Sequence, residues 1–297
     1  MNSIIKYVFM VAFAAACNGL LSIIFKFALN DHVNTSYLLL IGATIAVIFF
    51  ALIIFIKKNV YFNLRQCLPL VIVGLFLGAT AFTFSKAVEN LSASMAVLLQ
   101  FQFTWIAIVI NAVYCRQIPS KTKVFAIVLI LIGTVFATNI IGSGEAIHLS
   151  IVGVVFGLLC ASCFGFYIFA NEHIQADLHW SLRAFYIMVG SLIFTIIITV
   201  PDIMSNPQIE GQASLAITLT HSSILALFGY CIPIVFFAIG IPKVGATISA
   251  MLSALELPVA IIAAMFLLHE SVSILQWVGV ILIVISLLIR EPKKATH

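Results

Sequence analysis

The chain has 297 residues, of which 63% are hydrophobic and 8% charged, with a formal net charge of +4 and a mean hydropathy of +1.24. A soluble domain carries roughly 45–50% apolar and about 25% charged residues, so 14 basic and 10 acidic side chains are too few to clothe a water-facing surface. The composition excludes a soluble domain, a disordered chain, a disulfide scaffold and a nucleic-acid binder, and points to an all-α integral membrane protein.

A helix crossing ~30 Å of hydrocarbon needs about 20 apolar residues. Ten such runs follow one another, at about 4–28, 36–56, 68–87, 93–113, 124–141, 151–171, 182–200, 219–240, 244–268 and 274–290. The first carries Ala14-Ala15-Ala16-Cys17, which looks like a lipoprotein cleavage site. Its apolar run continues to Leu29, so an uncleaved helix is expected there. Asn18 and Ser22 lie four apart on that helix and share a face. The third run holds Gly74 and Gly78 in a GxxxG pattern, then Thr80 and Thr83, whose hydroxyls can bond back to their own helix. In the fourth, Gln102 and Trp105 are surface neighbours at mid-membrane. A buried amide there must face protein or water, and the indole is either a large packing residue or a surface on which an aromatic or purine-like solute stacks.

The sixth run repeats the GxxxG pattern at Gly153 and Gly157 and ends in a second polar face, Tyr167 and Asn171. Glu172, His173, Asp177, His179 and Arg183 are read as a solvated loop after it, without metal. Tyr230 is the polar candidate of the eighth run. The ninth places Ser249, Ser253 and Glu256 at i, i+4 and i+7, one face of a continuous helix. Glu256 sits near mid-membrane, where a charge is penalised by about 2.5–3.5 kcal/mol and its usual reason is function. It is the candidate proton-coupling group. Pro258 cannot donate to the carbonyl of Ala254 and is expected to kink this helix.

Basic residues mark cytoplasmic loops. With Lys6 inside and ten alternating spans, 12 of the 14 basic residues fall on that side; only Lys26 and Lys86 lie near outer helix ends. Both have stems long enough to snorkel, and Lys86 is one turn from Glu89. Asp31, Glu89, Glu145, Asp202, Glu210 and Glu270 fall outside. Both termini are therefore expected in the cytoplasm, in an inner membrane.

The halves repeat. Leu91-Ser92-Ala93-Ser94-Met95-Ala96 aligns with Val244-Gly245-Ala246-Thr247-Ile248-Ser249 at an offset of 153, and Cys17-Asn18-Gly19 with Cys163-Phe164-Gly165 at 146. Units of five helices, 1–142 and 149–297, invert the second copy. Such inverted repeats underlie alternating access in transporters.

Val244-Gly245-Ala246-Thr247, Leu255-Glu256-Leu257-Pro258, His269-Glu270 and Gln276-Trp277-Val278-Gly279 follow one another in an order that resembles the EamA branch of the drug/metabolite transporter superfamily. In the first half Ala87 through Ser94 fits, while Trp105 stands where the family has proline and Gln117 where it has glutamate. The resemblance implies a transporter of small organic metabolites such as amino acids, nucleoside-like molecules or amphipathic drugs, with export favoured. A facilitative exchanger or uptake carrier for a cofactor-like molecule such as S-adenosylmethionine is the alternative, and an intramembrane enzyme a weaker one. The substrate-binding candidates are Asn18, Ser22, Gln102, Trp105, Tyr167, Asn171, Tyr230, Ser253 and Glu256. No phosphate-cradling GxxxxGK[ST] loop occurs, and no catalytic residue, cofactor or metal is expected. The partners are a small solute, protons and the bilayer. A monomer and a homodimer both fit.

Overall fold

The computed structural model describes residues 2–56, 64–91, 93–117, 119–138, 150–205, 213–267 and 272–288. Of the charges that set the orientation, the basic residues Lys57, Lys58, Arg290, Lys293 and Lys294 and the acidic residues Glu145, Glu210 and Glu270 lie outside them, as do His269 and the side chain of Arg65, another of the 12 inside basic residues. Helices account for 89% of the described residues, among which there is no strand.

The first half comprises α1 (Asn2–Gly19), α2 (Leu21–Asn30), α3 (Thr35–Ile56), α4 (Leu64–Asn90), α5 (Ala93–Gln100), α6 (Phe103–Cys115) and α7 (Lys121–Ala137). The second comprises α8 (Ile151–His173), α9 (Trp180–Ser205), α10 (Leu215–Leu225), a π-helical turn (Ala226–Cys231), α11 (Ile232–Val244), α12 (Ala246–Ser253), α13 (Glu256–Leu267) and α14 (Ile274–Leu288). Eight stretches are long and apolar enough to cross a membrane, α1–α2, α5–α6, α10–α11 and α12–α13 each counting as one. The ten runs of the sequence thus meet eight full-length helices. The other two are α7, with 17 residues, and α14, with 15. At about 1.5 Å per residue they reach roughly 25 Å or less.

The interruptions have local causes. At Leu20 the backbone tightens, its N–H donating to Cys17 O. Ala254 and Leu255 likewise bond back three residues, to Met251 and Leu252. Pro258 offers no N–H to the carbonyl of Ala254, and its ring crowds that carbonyl, so the helix breaks just before Glu256. Phe101 and Gln102 form the corresponding break between α5 and α6, 153 residues earlier. It occurs without a proline, Trp105 standing in that register. Serines cap three helix starts: Ser120, Ser150 and Ser214 accept from the backbone N–H three residues on.

Small residues set the helix spacing. A Cβ on Gly74 would lie 2.0 Å from Ile187 O, and one on Gly190 2.0 Å from Val71 O, so α4 and α9 touch backbone to backbone. Gly78 meets Ser191 on the same seam, and Gly133 and Gly279 join α7 to α14. Gly153 and Gly157 face Leu91 and Leu99. Both GxxxG patterns thus serve packing inside the chain. The most extensive contacts all run between the halves: α4 with α8 and α9, α1 with α11, α3 with α9, α6 with α8, α7 with α14. Around this core large apolar side chains such as Phe9, Phe55, Val113, Ile197 and Ile281 point outward. All six cysteines are free.

Candidate functional site

Gly19 closes α1 and lets it press on the break before α13; a Cβ there would lie 2.5 Å from Glu256 O. That approach brings the side chain of the preceding residue to the carboxyl. Asn18 Nδ2 donates to Glu256 Oε1 at 3.0 Å, joining residues 238 positions apart. Glu256 is 6% exposed. It opens α13, whose first N–H groups have no partner within that helix, so the carboxyl sits beside a broken backbone as well as an amide.

These two residues line a cavity with about 960 Å³ of empty space, open solvent included. Ser22, Tyr167 and Tyr230 line it too, so five of the nine sequence candidates come together. The wall extends past Thr80 and Gln100 to Phe25 and Phe84, next to Lys26 and Lys86. Thr80 and Thr83 bond back to the carbonyls of Phe76 and Ala79, and Ser22 reaches Gly19 O at 3.4 Å.

Four candidates lie elsewhere. Gln102 is in the α5–α6 break and donates to Leu98 O, while its Oε1 accepts from Trp105 Nε1 at 2.9 Å. Trp105 is 39% exposed and does not line the cavity. Its ring is turned out by the break that also frees Gln102. Asn171 is buried beneath Tyr167, donating to that residue's carbonyl at 3.1 Å. Ser249 and Ser253 are buried, and their hydroxyls have no partner among the described residues. The break between Ser253 and Glu256 interrupts the helical register, so the continuous face expected of 249, 253 and 256 does not form.

Arg183 corrects the loop reading. It belongs to α9, is 1% exposed, and its guanidinium donates to Ala238 O at 2.6 Å, Asn171 O at 2.5 Å and Asn171 Oδ1 at 3.2 Å. One side chain thereby ties α9 to α8 and α11. Hydrogen bonds to a charged group contribute about 1.5–3 kcal/mol each. Arg183→Met is expected to lower stability by roughly 3 kcal/mol, read as a lower melting temperature in detergent, with Arg183→Lys recovering part of the loss.

Polar contacts close this end of the bundle. Glu172 accepts from the N–H of Ala246, capping α12, which begins after Gly245 at φ 92°. His173 Nε2 meets Asn111 Oδ1 at 2.8 Å, and Asn111 Nδ2 donates to Thr247 Oγ1 at 3.1 Å. His173 therefore joins α6 and α12 to α8 instead of lying in a solvated loop. At the opposite end, Lys86 pairs with Glu89 at 2.7 Å and His221 with Asp31 at 2.7 Å, and Ser36 donates to Asp202 at 2.6 Å. No group of three or more His, Cys, Asp or Glu among the described residues is placed to hold a metal.

The model of the EamA-like transporter family matches residues 5–139 and 151–290, and the chain belongs to that family of the drug/metabolite transporter superfamily. It is a multi-pass membrane transporter built of two repeats. No curated protein matches it. Chains of solved structures do, 29 of them. One crystal structure, described simply as that of a protein, aligns with TM-score 0.80 at 14% identity, over 96% of this chain and 97% of its own. That likeness is one of fold.

Proposed function

We propose that the chain is a secondary carrier of small organic metabolites that works by alternating access across the cytoplasmic membrane, with export as the favoured direction. The observation that carries this reading is the Asn18–Glu256 hydrogen bond at the floor of the cavity, between two broken helices of opposite halves. Asn18, Ser22, Tyr167, Tyr230 and Glu256 bind the solute, and Glu256 couples its passage to a proton. Asn171 supports the wall from beneath Tyr167, while Gln102, Trp105 and Ser253 lie outside it.

The short α7 and α14 complete ten spans, as 1–142 and 149–297 in inverted orientation with both termini cytoplasmic. On that orientation the cavity opens outward, toward Phe25 and Phe84, and the Arg183 and Glu172 contacts form the closed inner gate. Discontinuous helices meeting at mid-membrane are the recurrent site architecture of such carriers. A monomer suffices, since the cavity is complete within one chain.

The test is transport by purified protein in liposomes under an imposed pH gradient, offering labelled amino acids, nucleosides and S-adenosylmethionine. Saturable flux that a protonophore abolishes is expected. Saturable flux indifferent to the gradient would favour facilitated exchange, and flux without saturation a channel.

A further inference from the structure

We infer that the cavity selects solutes bearing net positive charge on an apolar or planar body, such as an amine, sulfonium or quaternary ammonium, over zwitterions and anions. The inference rests on the carrier reading and adds a charge and shape to the cargo.

The wall of the cavity contains one carboxylic acid, Glu256, and no lysine, arginine or histidine among the described lining residues. Asn18 donates to Oε1; no described residue donates to Oε2. The nearest buried cation, Arg183, spends both terminal nitrogens on Ala238 and Asn171 and lies behind Tyr167, outside the wall. Lys26 and Lys86, near the outer helix ends, do not line the wall, and Lys86 is held by Glu89. A solute carboxylate or phosphate seated here would meet a carboxyl and find no counter-charge among the described wall residues.

Aromatic rings are interleaved with aliphatic side chains over the rest of the wall. Phe25, Phe101, Phe164, Tyr167, Tyr230 and Phe237 surround the space. Phe164 and Tyr167 stack with centroids 5.9 Å apart and planes at 15°, and Phe237 meets Tyr167 at 66°. Ring faces carry the negative side of the quadrupole and attract cations, more strongly where water is excluded. They repel anions for the same reason. Carboxyl and rings thus act in one direction, and the apolar wall accommodates the body to which the charge is attached. A free amino acid satisfies half of this pattern and leaves its own carboxylate unpaired.

Tryptamine, tryptophan, indole-3-acetate and tryptophol share one ring and differ in charge. Equilibrium binding of each is measured on the full chain in lipid nanodiscs, at a pH where tryptamine is protonated. Tryptamine is expected to bind at least tenfold more tightly than the other three, and Glu256→Gln to erase that preference. The wild-type series stands on its own should the variant fail to fold. Equal or tighter binding of tryptophan or indole-3-acetate, no binding by any of the four, or a preference that survives in a folded Glu256→Gln would overturn the inference. Labelled tryptamine counterflow in liposomes separates the two readings. Charge-selective binding without counterflow sinks the carrier and leaves the recognition; counterflow of tryptophan without cation preference does the reverse.

Discussion

Liposomes carrying Glu256→Gln are expected to lose gradient-driven accumulation of substrate by roughly a hundredfold, while the protein stays folded. The substitution keeps the shape of the side chain, and its amide oxygen can still accept from Asn18 Nδ2 at the 3.0 Å seen here. What it removes is the ability to carry a negative charge or to exchange a proton. A carboxyl at this depth costs about 3 kcal/mol to retain, the scale of a hundredfold change in an equilibrium. The variant should therefore melt no earlier than the parent, since a neutral amide is easier to bury. Loss of accumulation together with an unchanged or raised melting temperature marks a working group. Wild-type accumulation under the same pH gradient would remove Glu256 from the coupling mechanism and leave it a buried hydrogen-bond acceptor.

Gly74→Val and Gly190→Val should each yield little or no monodisperse protein. The Cβ they introduce falls 2.0 Å from a carbonyl oxygen of the facing helix, Ile187 O in one case and Val71 O in the other. Neither oxygen is at the end of a flexible side chain, so α4 and α9 must separate along their whole seam. Overpacking of a tight core usually costs 1–3 kcal/mol. A backbone collision across the most extensive contact in the molecule belongs at the top of that range, about 3 kcal/mol or more. Gly229→Ala supplies the contrast. Its Cβ would meet Leu21 Cδ2 at 2.7 Å, the end of a side chain that can change rotamer, and this variant should purify normally. Size-exclusion profiles and thermal melts distinguish the cases. Normal melting of Gly190→Val would mean that the two helices are not in backbone contact.

Much of this architecture is legible in the residues. Apolar runs locate the helices, and the 153-residue offset found by aligning Leu91–Ala96 with Val244–Ser249 also relates the breaks at Phe101–Gln102 and Ala254–Leu255. Glu256 declares itself by depth, and Asn18 by the polar face it shares with Ser22. The misses share a cause. Arguments from i, i+4 and i+7 spacing assume one unbroken helix, and both central helices are broken. Ser253 therefore parts from Glu256, and Trp105 faces outward, bonded to Gln102. Arg183 was hidden by the habit of reading charges as loop markers, which fails when carbonyls of two neighbouring helices receive the guanidinium. The aromatic wall is invisible for a different reason. With 25 phenylalanines in the chain, nothing in their spacing separates those facing a cavity from those facing lipid.

The interleaving of the halves bears on how the molecule is made. Because the heaviest contacts run from α1, α3, α4, α6 and α7 to helices of the other half, the first half emerges from the ribosome without the surfaces that bury its glycine seams. It must wait, inserted but unpaired, until α8 and α9 are synthesised. The peptide link at 139–150 then holds together two parts that grip each other along almost every helix, and a chain severed there after assembly would remain one particle.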